Sequence, residues 1–294
     1  MTASPPHLRI LSPHPNILAF YDGRVPGYRF ADGPNWVDDG AIALGIASYA
    51  IIDGSEALVY DTHVTLEHAR AIRTHLESLG VTRITVVLSH WHLDHVAGTE
   101  VFQDCPIIAN RLTAAHLTEH KSAIEAGTHD GPPGIATLIM PNLIFDERMS
   151  VRVGAIDVEL IHLNIHSDDA TVMWLPQSRV LLAGDTMEDT VTYVVEPQHF
   201  DTHLADLDRL WALDPARILP NHGAPDVIAG GGYTKTLIRA QQQYIRTLKR
   251  CVSDLDLRAT PLKELIAGPL GSEWVTYFAP YEDVHARNLE VVVR

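Results

Sequence analysis

The stretch Leu88-Ser89-His90-Trp91-His92-Leu93-Asp94-His95 decides how the rest of the chain is read. It grows out of Ile84-Thr85-Val86-Val87-Leu88, an apolar, β-branched run with the character of a buried strand. A strand ending there delivers three histidines and an aspartate, spaced H-x-H-x-D-H, to one edge of a sheet. Neutral imidazoles beside a carboxylate suit zinc, with iron or manganese as alternatives, because borderline cations accept nitrogen and oxygen together. One short turn cannot place four donors on a single tetrahedron, so the pattern predicts a two-metal centre with further donors downstream. The plainer reading, histidines decorating a surface turn, sits poorly with a strand directly before them.

With this motif the chain resembles the metallo-β-lactamase fold hydrolases. In that superfamily the loop is followed by a lone histidine after a strand, an aspartate after a hydrophobic strand, and a last histidine in a loop. The chain carries all three in order: His166 in Asn164-Ile165-His166-Ser167-Asp168-Asp169, Asp185 in Leu182-Ala183-Gly184-Asp185-Thr186, and His222 in Pro220-Asn221-His222-Gly223. The resemblance covers roughly residues 40–225. It implies an α/β chain folded as an αββα sandwich, two facing sheets with helices outside, and it speaks to fold and metal site rather than to substrate. With the resemblance as guide, His90, His92 and His166 surround one divalent cation and Asp94, His95 and His222 a second. Asp185 is left to bridge them together with a water or hydroxide.

The wording departs from the superfamily in two places. Asp61-Thr62-His63 stands where an Asp-Thr-Gly turn is usual, and the Gly-His-Thr-Pro-Gly context of the lone histidine is absent. His162 competes with His166 for that role, but it continues a strand alternation whereas His166 lies in the turn that follows. Asp61 either accepts the spare ring N–H of a ligand histidine, fixing its tautomer, or, like Thr62, caps the helix expected over 66–79. His63 is expected to be a solvated turn residue.

Composition bounds the rest. The 294 residues, 46% of them hydrophobic, suffice for a large core in one domain over 1–294, with a C-terminal helical extension at about 230–294. A formal charge of -15 argues against a nucleic-acid partner, since phosphate neutralisation needs a basic stripe and the only local cluster is Arg246, Lys249 and Arg250. No apolar run approaches the roughly 20 residues of a membrane span. Met1-Thr2-Ala3-Ser4-Pro5-Pro6 lacks the charged and apolar regions of a signal peptide, which predicts a cytoplasmic protein. Cys105 and Cys251 cannot make a disulfide framework and are expected to be ordinary buried thiols.

Along the chain, strands are expected at 16–21, 45–52 and 57–60, the last two as a hairpin, with a Gly-, Pro- and aromatic-rich loop over 24–40 that is either a binding loop or a plain excursion. A helix should open at 96–99 and a strand follow at 105–109. Residues 111–140 read as helix and then irregular chain, with His116, His120 and His129 on solvated faces. Strands are expected at 143–145, 151–153, 156–162, 171–175 and 180–183, then helices at 202–213, 233–255, 261–266 and 281–289. His199 and His203 are surplus to the ligand count and expected to be structural. The C-terminal helices could pack on the sandwich, cover the pocket, or pair two subunits.

The expected chemistry follows from the two cations. Zinc lowers the pKa of water from 15.7 to about 7, a gain of about 12 kcal/mol in forming hydroxide, against about 10²- to 10⁴-fold from a lone general base. A bridging hydroxide attacking the carbonyl of a lactone, ester, thioester or cyclic amide is the expected reaction of a small-molecule hydrolase. Asp94 could pass a proton to the leaving group, and Tyr193 could polarise the carbonyl. Trp91, Tyr193, Tyr28 and Trp36 could form an apolar wall. The rivals are a mononuclear iron-dependent oxygenase on the same fold and a β-lactamase in the narrow sense, the latter disfavoured by the expected lack of export. A thioesterase of the hydroxyacylglutathione type lacks a visible basic pocket for its thiol.

Overall fold

The computed structural model describes residues 5–293; residues 1–4 and 294, which hold most of the N-terminal hexapeptide read for export and both ends of the expected domain, lie outside the described residues. A seven-stranded sheet runs in sequence order through β1 (Arg9–His14), β2 (Ile17–Asp22), β3 (Ile46–Asp53), β4 (Glu56–Tyr60), β5 (Arg83–Val87), β6 (Ile107–Asn110) and β7 (Leu143–Phe145). Its first four strands are antiparallel and β4 to β7 are parallel. A five-stranded sheet holds β8 (Arg148–Val153), β9 (Ile156–His162), β10 (Thr171–Leu175), β11 (Val180–Gly184) and β12 (Arg217–Pro220), antiparallel except where β11 meets β12.

The period-two alternation of the strands explains the layers. In β2, Ile17, Ala19 and Tyr21 enter the core shared by the two sheets while Phe20 enters the outer core. In β3 and β4, Tyr49, Ile51, Leu58 and Tyr60 face inward while Ala50, Ala57 and Val59 face outward. A sheet buried on both faces needs a helical layer. Helix α1 (Leu66–Ser78) supplies it by burying Ala69, Ile72 and Leu76, and its N-cap is Thr65, which accepts from His68 N–H at 3.3 Å; neither Asp61 nor Thr62 caps it. The helix expected from 96–99 is divided into a short α2 (Leu93–Val96) and a 3₁₀ turn, Thr99–Phe102. Helix α3 (Arg111–Ala126) completes the outer layer through Leu117 and Ile124.

The opposite face of the second sheet carries α4 (Phe200–Ala212), α5 (Pro225–Ala229) and α6 (Thr236–Cys251), followed by α7 (Leu255–Arg258), α8 (Leu262–Leu265), α9 (Ala267–Gly271) and α10 (Tyr281–Val292). Leu237, Ala240, Tyr244 and Leu248 of α6 are buried within the chain as expected, whereas Val252 lies beyond the helix and is exposed. The sandwich is therefore the αββα arrangement read from the sequence, while β1, β12, α5, α7 and α9 were not foreseen. Among the described residues no helix is long and apolar enough to cross a membrane. Cys105 and Cys251 are buried free thiols, and burial pushes the Cys105 thiol up to about 11.

Three tyrosines on the inner face of the large sheet pin it to the second sheet and the loop beyond it. Tyr21 donates to the Gly223 carbonyl at 2.9 Å, Tyr49 to that of Pro220 at 2.5 Å, and Tyr60 to that of Thr171. Each hydroxyl lies in a dry core, where an unmade hydrogen bond is costly. Replacing Tyr49 by Phe keeps the ring and deletes this donor, so chemical denaturation should show a loss of about 1–2 kcal/mol; an unchanged unfolding midpoint would show the clip to be idle.

Candidate metal centre

The candidate donors arrive from the strand ends on one side of the sandwich. His90, His92, Asp94 and His95 follow β5, His166 lies between β9 and β10, Asp185 follows β11, and His222 follows β12. The structure brings all seven together, in two groups: His90, His92 and His166, and Asp94, His95, Asp185 and His222. In the first group the inward nitrogen of His92 is Nδ1, 3.0 Å from Nε2 of both His90 and His166. In the second, His95 Nε2 is 3.4 Å from Asp94 Oδ1 and 3.1 Å from Asp185 Oδ2, and His222 Nε2 is 3.3 Å from Asp94 Oδ2 and 3.4 Å from Asp185 Oδ2. Ligand atoms on a tetrahedral cation with bonds of about 2.0–2.1 Å sit about 3.3 Å apart. The observed separations bracket that value.

Asp185 Oδ2 also lies 3.7 Å from His90 Nε2 and 3.9 Å from His166 Nε2, so one carboxylate oxygen faces both groups. Its other oxygen, Oδ1, is buried with no hydrogen-bond partner among the described residues. Gly184 makes this approach possible: its φ is 56°, and a Cβ there would stand 2.8 Å from the Tyr60 hydroxyl oxygen.

The outward ring nitrogens of His90, His95, His166 and His222 are occupied, which leaves their inward lone pairs for a cation. His166 Nδ1 faces the Tyr193 carbonyl at 2.9 Å and His222 Nδ1 the Gly45 carbonyl at 2.9 Å; as each can only donate there, Nε2 is the free acceptor. His90 Nδ1 pairs with Ser89 Oγ at 2.9 Å. His95 Nδ1 donates to Asp61 Oδ2 at 2.9 Å, the role read for Asp61 in preference to capping. The same carboxylate accepts from Ser89 N–H at 2.7 Å and Asn221 Nδ2 at 2.5 Å. Asn221 escaped the sequence reading, although its place beside His222 was a usable signal.

Electrostatics divides the groups. Burial holds His90, His92 and His166 below the usual histidine range, His92 at about 3, so these imidazoles are neutral donors. Burial also disfavours charge on His95 and His222, but the carboxylates around them, Asp185 foremost, outweigh it and raise both. Burial disfavours charge on Asp94 as well, yet His95 and His222 draw it down to about 2. Two carboxylates, Asp185 buried and Asp94 partly so, thus demand positive charge between them. Three neutral imidazoles on one side, and two imidazoles with two carboxylates on the other, are a donor set that fits two borderline divalent cations.

Backbone strain collects here. Asp61, His63 and His166 are non-glycine residues with φ of 67°, 65° and 71°. The left-handed turn at 63 explains why glycine is the residue expected there. His63 is not the solvated turn residue predicted: it is fully buried and stacks on His68, ring centroids 4.3 Å apart. The reason is that the ring packs against α1, whose His68 covers it, and its Nδ1 accepts from Val64 N–H at 3.0 Å.

A cavity of about 800 Å³ opens over both groups, lined on one side by Trp36 and Trp91 and on another by Tyr193. The 24–40 loop is therefore a binding-side wall, with Trp36 Nε1 donating to the Pro133 carbonyl at 2.9 Å. Tyr28 does not reach the cavity; it packs edge-on against His7 at 4.3 Å. Nor do His116, His120 and His129 sit on solvated faces, because each is partly buried with its ring about 5 Å from that of Trp91. His162 turns away and meets the Asp168 carbonyl at 2.7 Å. His203 is buried against Asn164 at 3.0 Å and His199 sits near Glu196 at 3.3 Å, both outside the two groups.

Glu188 was missed, and of the roles left open for the C-terminal helices, covering the pocket is the one that α10 takes in part. Glu188 is buried in the cavity wall, pushed up to about 7 by burial, and accepts from Tyr193 N–H at 2.9 Å and the Tyr281 hydroxyl at 3.0 Å. Val284 and Arg287 of α10 also line the cavity. No local motif marks them, since they reach the site only through the packing of the C-terminal helices.

Residues 41–222 match the family model described as the Metallo-beta-lactamase superfamily. The chain is 27% identical over 182 residues to a Beta-lactamase-like protein 2 homolog of Caenorhabditis elegans, covering 61% of this chain and 56% of that protein. It is 26% identical over 168 residues to an Atrochrysone carboxyl ACP thioesterase of Claviceps purpurea, covering 56% and 47%. The chain thus spans about half the length of these curated relatives. Among solved structures, a crystal structure of VMB-1 shares the fold with a TM-score of 0.61 at 17% identity, covering 83% of this chain and 99% of that one.

The geometry separates the two rival histidines. His166→Ala should lower bound metal, counted by atomic absorption after dialysis, whereas His162→Ala should leave the count unchanged; the reverse pattern would reassign the site. Asp61→Ala should weaken metal binding by about 10- to 100-fold through the released His95 ring, and undiminished affinity would make Asp61 a purely structural buried acid.

Proposed function

Because the chain belongs to the metallo-beta-lactamase superfamily, we propose that it is a dinuclear metal-dependent hydrolase acting on the carbonyl of an ester, thioester, lactone or cyclic amide, with thioesters the favoured class. The observation that carries this reading is the position of Asp185 Oδ2, within 3.1–3.9 Å of donor nitrogens in both groups. Thioesters are favoured by the names of two relatives, the ACP thioesterases of Claviceps purpurea and of Cryptosporiopsis, the second 24% identical over 254 residues.

Divalent cations held by the two groups, zinc first and iron or manganese as alternatives, would acidify water toward a pKa of about 7 and polarise the carbonyl. The chain's own residues do the rest. His90, His92 and His166 contribute uncharged donors, and Asp94 with Asp185 contributes the negative charge, so the centre keeps a net positive character toward a carbonyl oxygen. Asp61 holds the His95 ring in register. Asp94, the more accessible of the two carboxylates at 17% side-chain exposure, faces the cavity and can return a proton to the leaving group. Tyr193, anchored through its backbone by Glu188 and His166, presents its ring to the same cavity as a candidate to polarise the carbonyl.

The cavity wall also shapes the substrate. It carries Asp39, Asp168 and Glu196, and among the described residues Arg287 is its only lysine or arginine. A thiol bearing two carboxylates, such as glutathione, finds a single cation to pair with there, so a leaving group without carboxylates is expected.

Zinc-loaded protein should hydrolyse members of a panel of thioesters, esters, lactones and β-lactams, thioesters fastest. One iron per chain with oxygen-dependent turnover would overturn the reading. Asp185→Asn should lower kcat by at least about 10²-fold at saturating metal, far beyond its effect on unfolding, and unchanged activity would remove it from the centre. Tyr193→Phe should lower kcat with little change in KM; equal rates on every substrate would leave it a packing residue.

A further inference from the structure

Helix α3 carries His116, Glu119 and His120, and a helix brings positions i, i+3 and i+4 to one face. One ligand atom from each of the three lies within 4.8 Å of the others. His129, in the irregular segment after the helix, brings its ring to 4.9 Å from that of His120. Trp91, from the loop that carries the central donors, lies against all three imidazoles at 5.2, 5.0 and 5.1 Å and so fixes where they gather.

Two features distinguish this cluster from an ordinary polar face. Asp168 Oδ1 sits 2.7 Å from His116 Nε2, so a carboxylate holds one ring nitrogen and leaves the other as a lone pair, as Asp61 does for His95. Among the described residues, His120 makes ring contacts with Trp91 and His129 and no hydrogen bond, so both its nitrogens stay available. The order His-x-x-Glu-His is also a known way for one helix to hold zinc through both imidazoles.

We propose that His116, Glu119 and His120, with His129 as a further nitrogen donor, form a peripheral site for a borderline divalent cation such as zinc, copper or nickel, separate from the two central groups. Imidazole donors with a single carboxylate select such cations over magnesium or calcium, which take oxygen. The donors are partly exposed and lose side-chain freedom on binding, so this site is weaker than the buried ones. His116 and His129 also line the cavity over the central groups. A cation held there narrows the entry and adds positive charge to it, so metal in excess of the central sites should inhibit turnover.

The test is equilibrium dialysis of the full chain against zinc chloride, with bound zinc counted in the wild type, His120→Ala, Glu119→Gln and His92→Ala. The expected result is one equivalent fewer in His120→Ala than in the wild type, a weaker peripheral equivalent in Glu119→Gln, and relief of inhibition by excess zinc in both. Alanine favours the helix and Glu119 is exposed, so neither change threatens folding. His92→Ala should lose central zinc while keeping the peripheral equivalent, which separates failure of this site from failure of the central one. Equal zinc counts and affinities in the wild type, His120→Ala and Glu119→Gln would overturn the proposal whatever the central groups hold.

Discussion

The carboxylate of Asp61 is the joint on which the rest of the site depends. It closes the end of β4, receives Ser89 N–H at the start of the histidine loop, orients His95, and receives Asn221 from the loop that carries His222. One buried anion thereby ties together three segments from two different sheets. Displacing any of them by about 1 Å would take its donor out of the range a cation tolerates, since acceptable bond lengths vary by only about 0.2 Å. The three inter-sheet tyrosines serve the same end from below, because each fixes a carbonyl beside a donor-bearing loop.

The cost of such a joint is visible in the backbone. Left-handed φ values at Asp61, His63 and His166 place strain of about 1–3 kcal/mol per residue at the edge of the site. The large double core holds these residues in place, and the strain aims His166 Nε2 inward. The stacked pair His63 and His68 fills the space beneath, with His68 held by Asp22 at 2.9 Å.

Residues of the C-terminal segment reach the loop after Asp185, and α10 lines the cavity through Val284 and Arg287. Tyr281 donates to Glu188, and Asn288 both donates to the Thr192 carbonyl at 3.0 Å and accepts from Val194 N–H at 2.8 Å. Thr276 donates to Asp189. The segment 188–194, which carries Tyr193 into the cavity wall, is thus held both by His166, Glu188 and His222 within the family match at 41–222 and by residues beyond it.

The amino-acid sequence by itself determined the strand-and-helix alternation, the αββα class, and the seven side chains that meet, including the preference for His166 over His162. The strands and the donors of the first loop were legible because local rules govern them, alternation in β2, β3 and β4 and the strand before His90, whereas His166, Asp185 and His222 were picked out through the resemblance to a known superfamily. It did not reveal that His63 is buried, that His116, His120 and His129 gather around Trp91, or that Glu188 and Arg287 line the cavity. Those facts depend on which segments meet in space, and a histidine in a turn looks the same in sequence whether a helix such as α1 covers it or water does. Tertiary packing alone made that choice, because burial and partner are properties of the neighbours a residue acquires on folding.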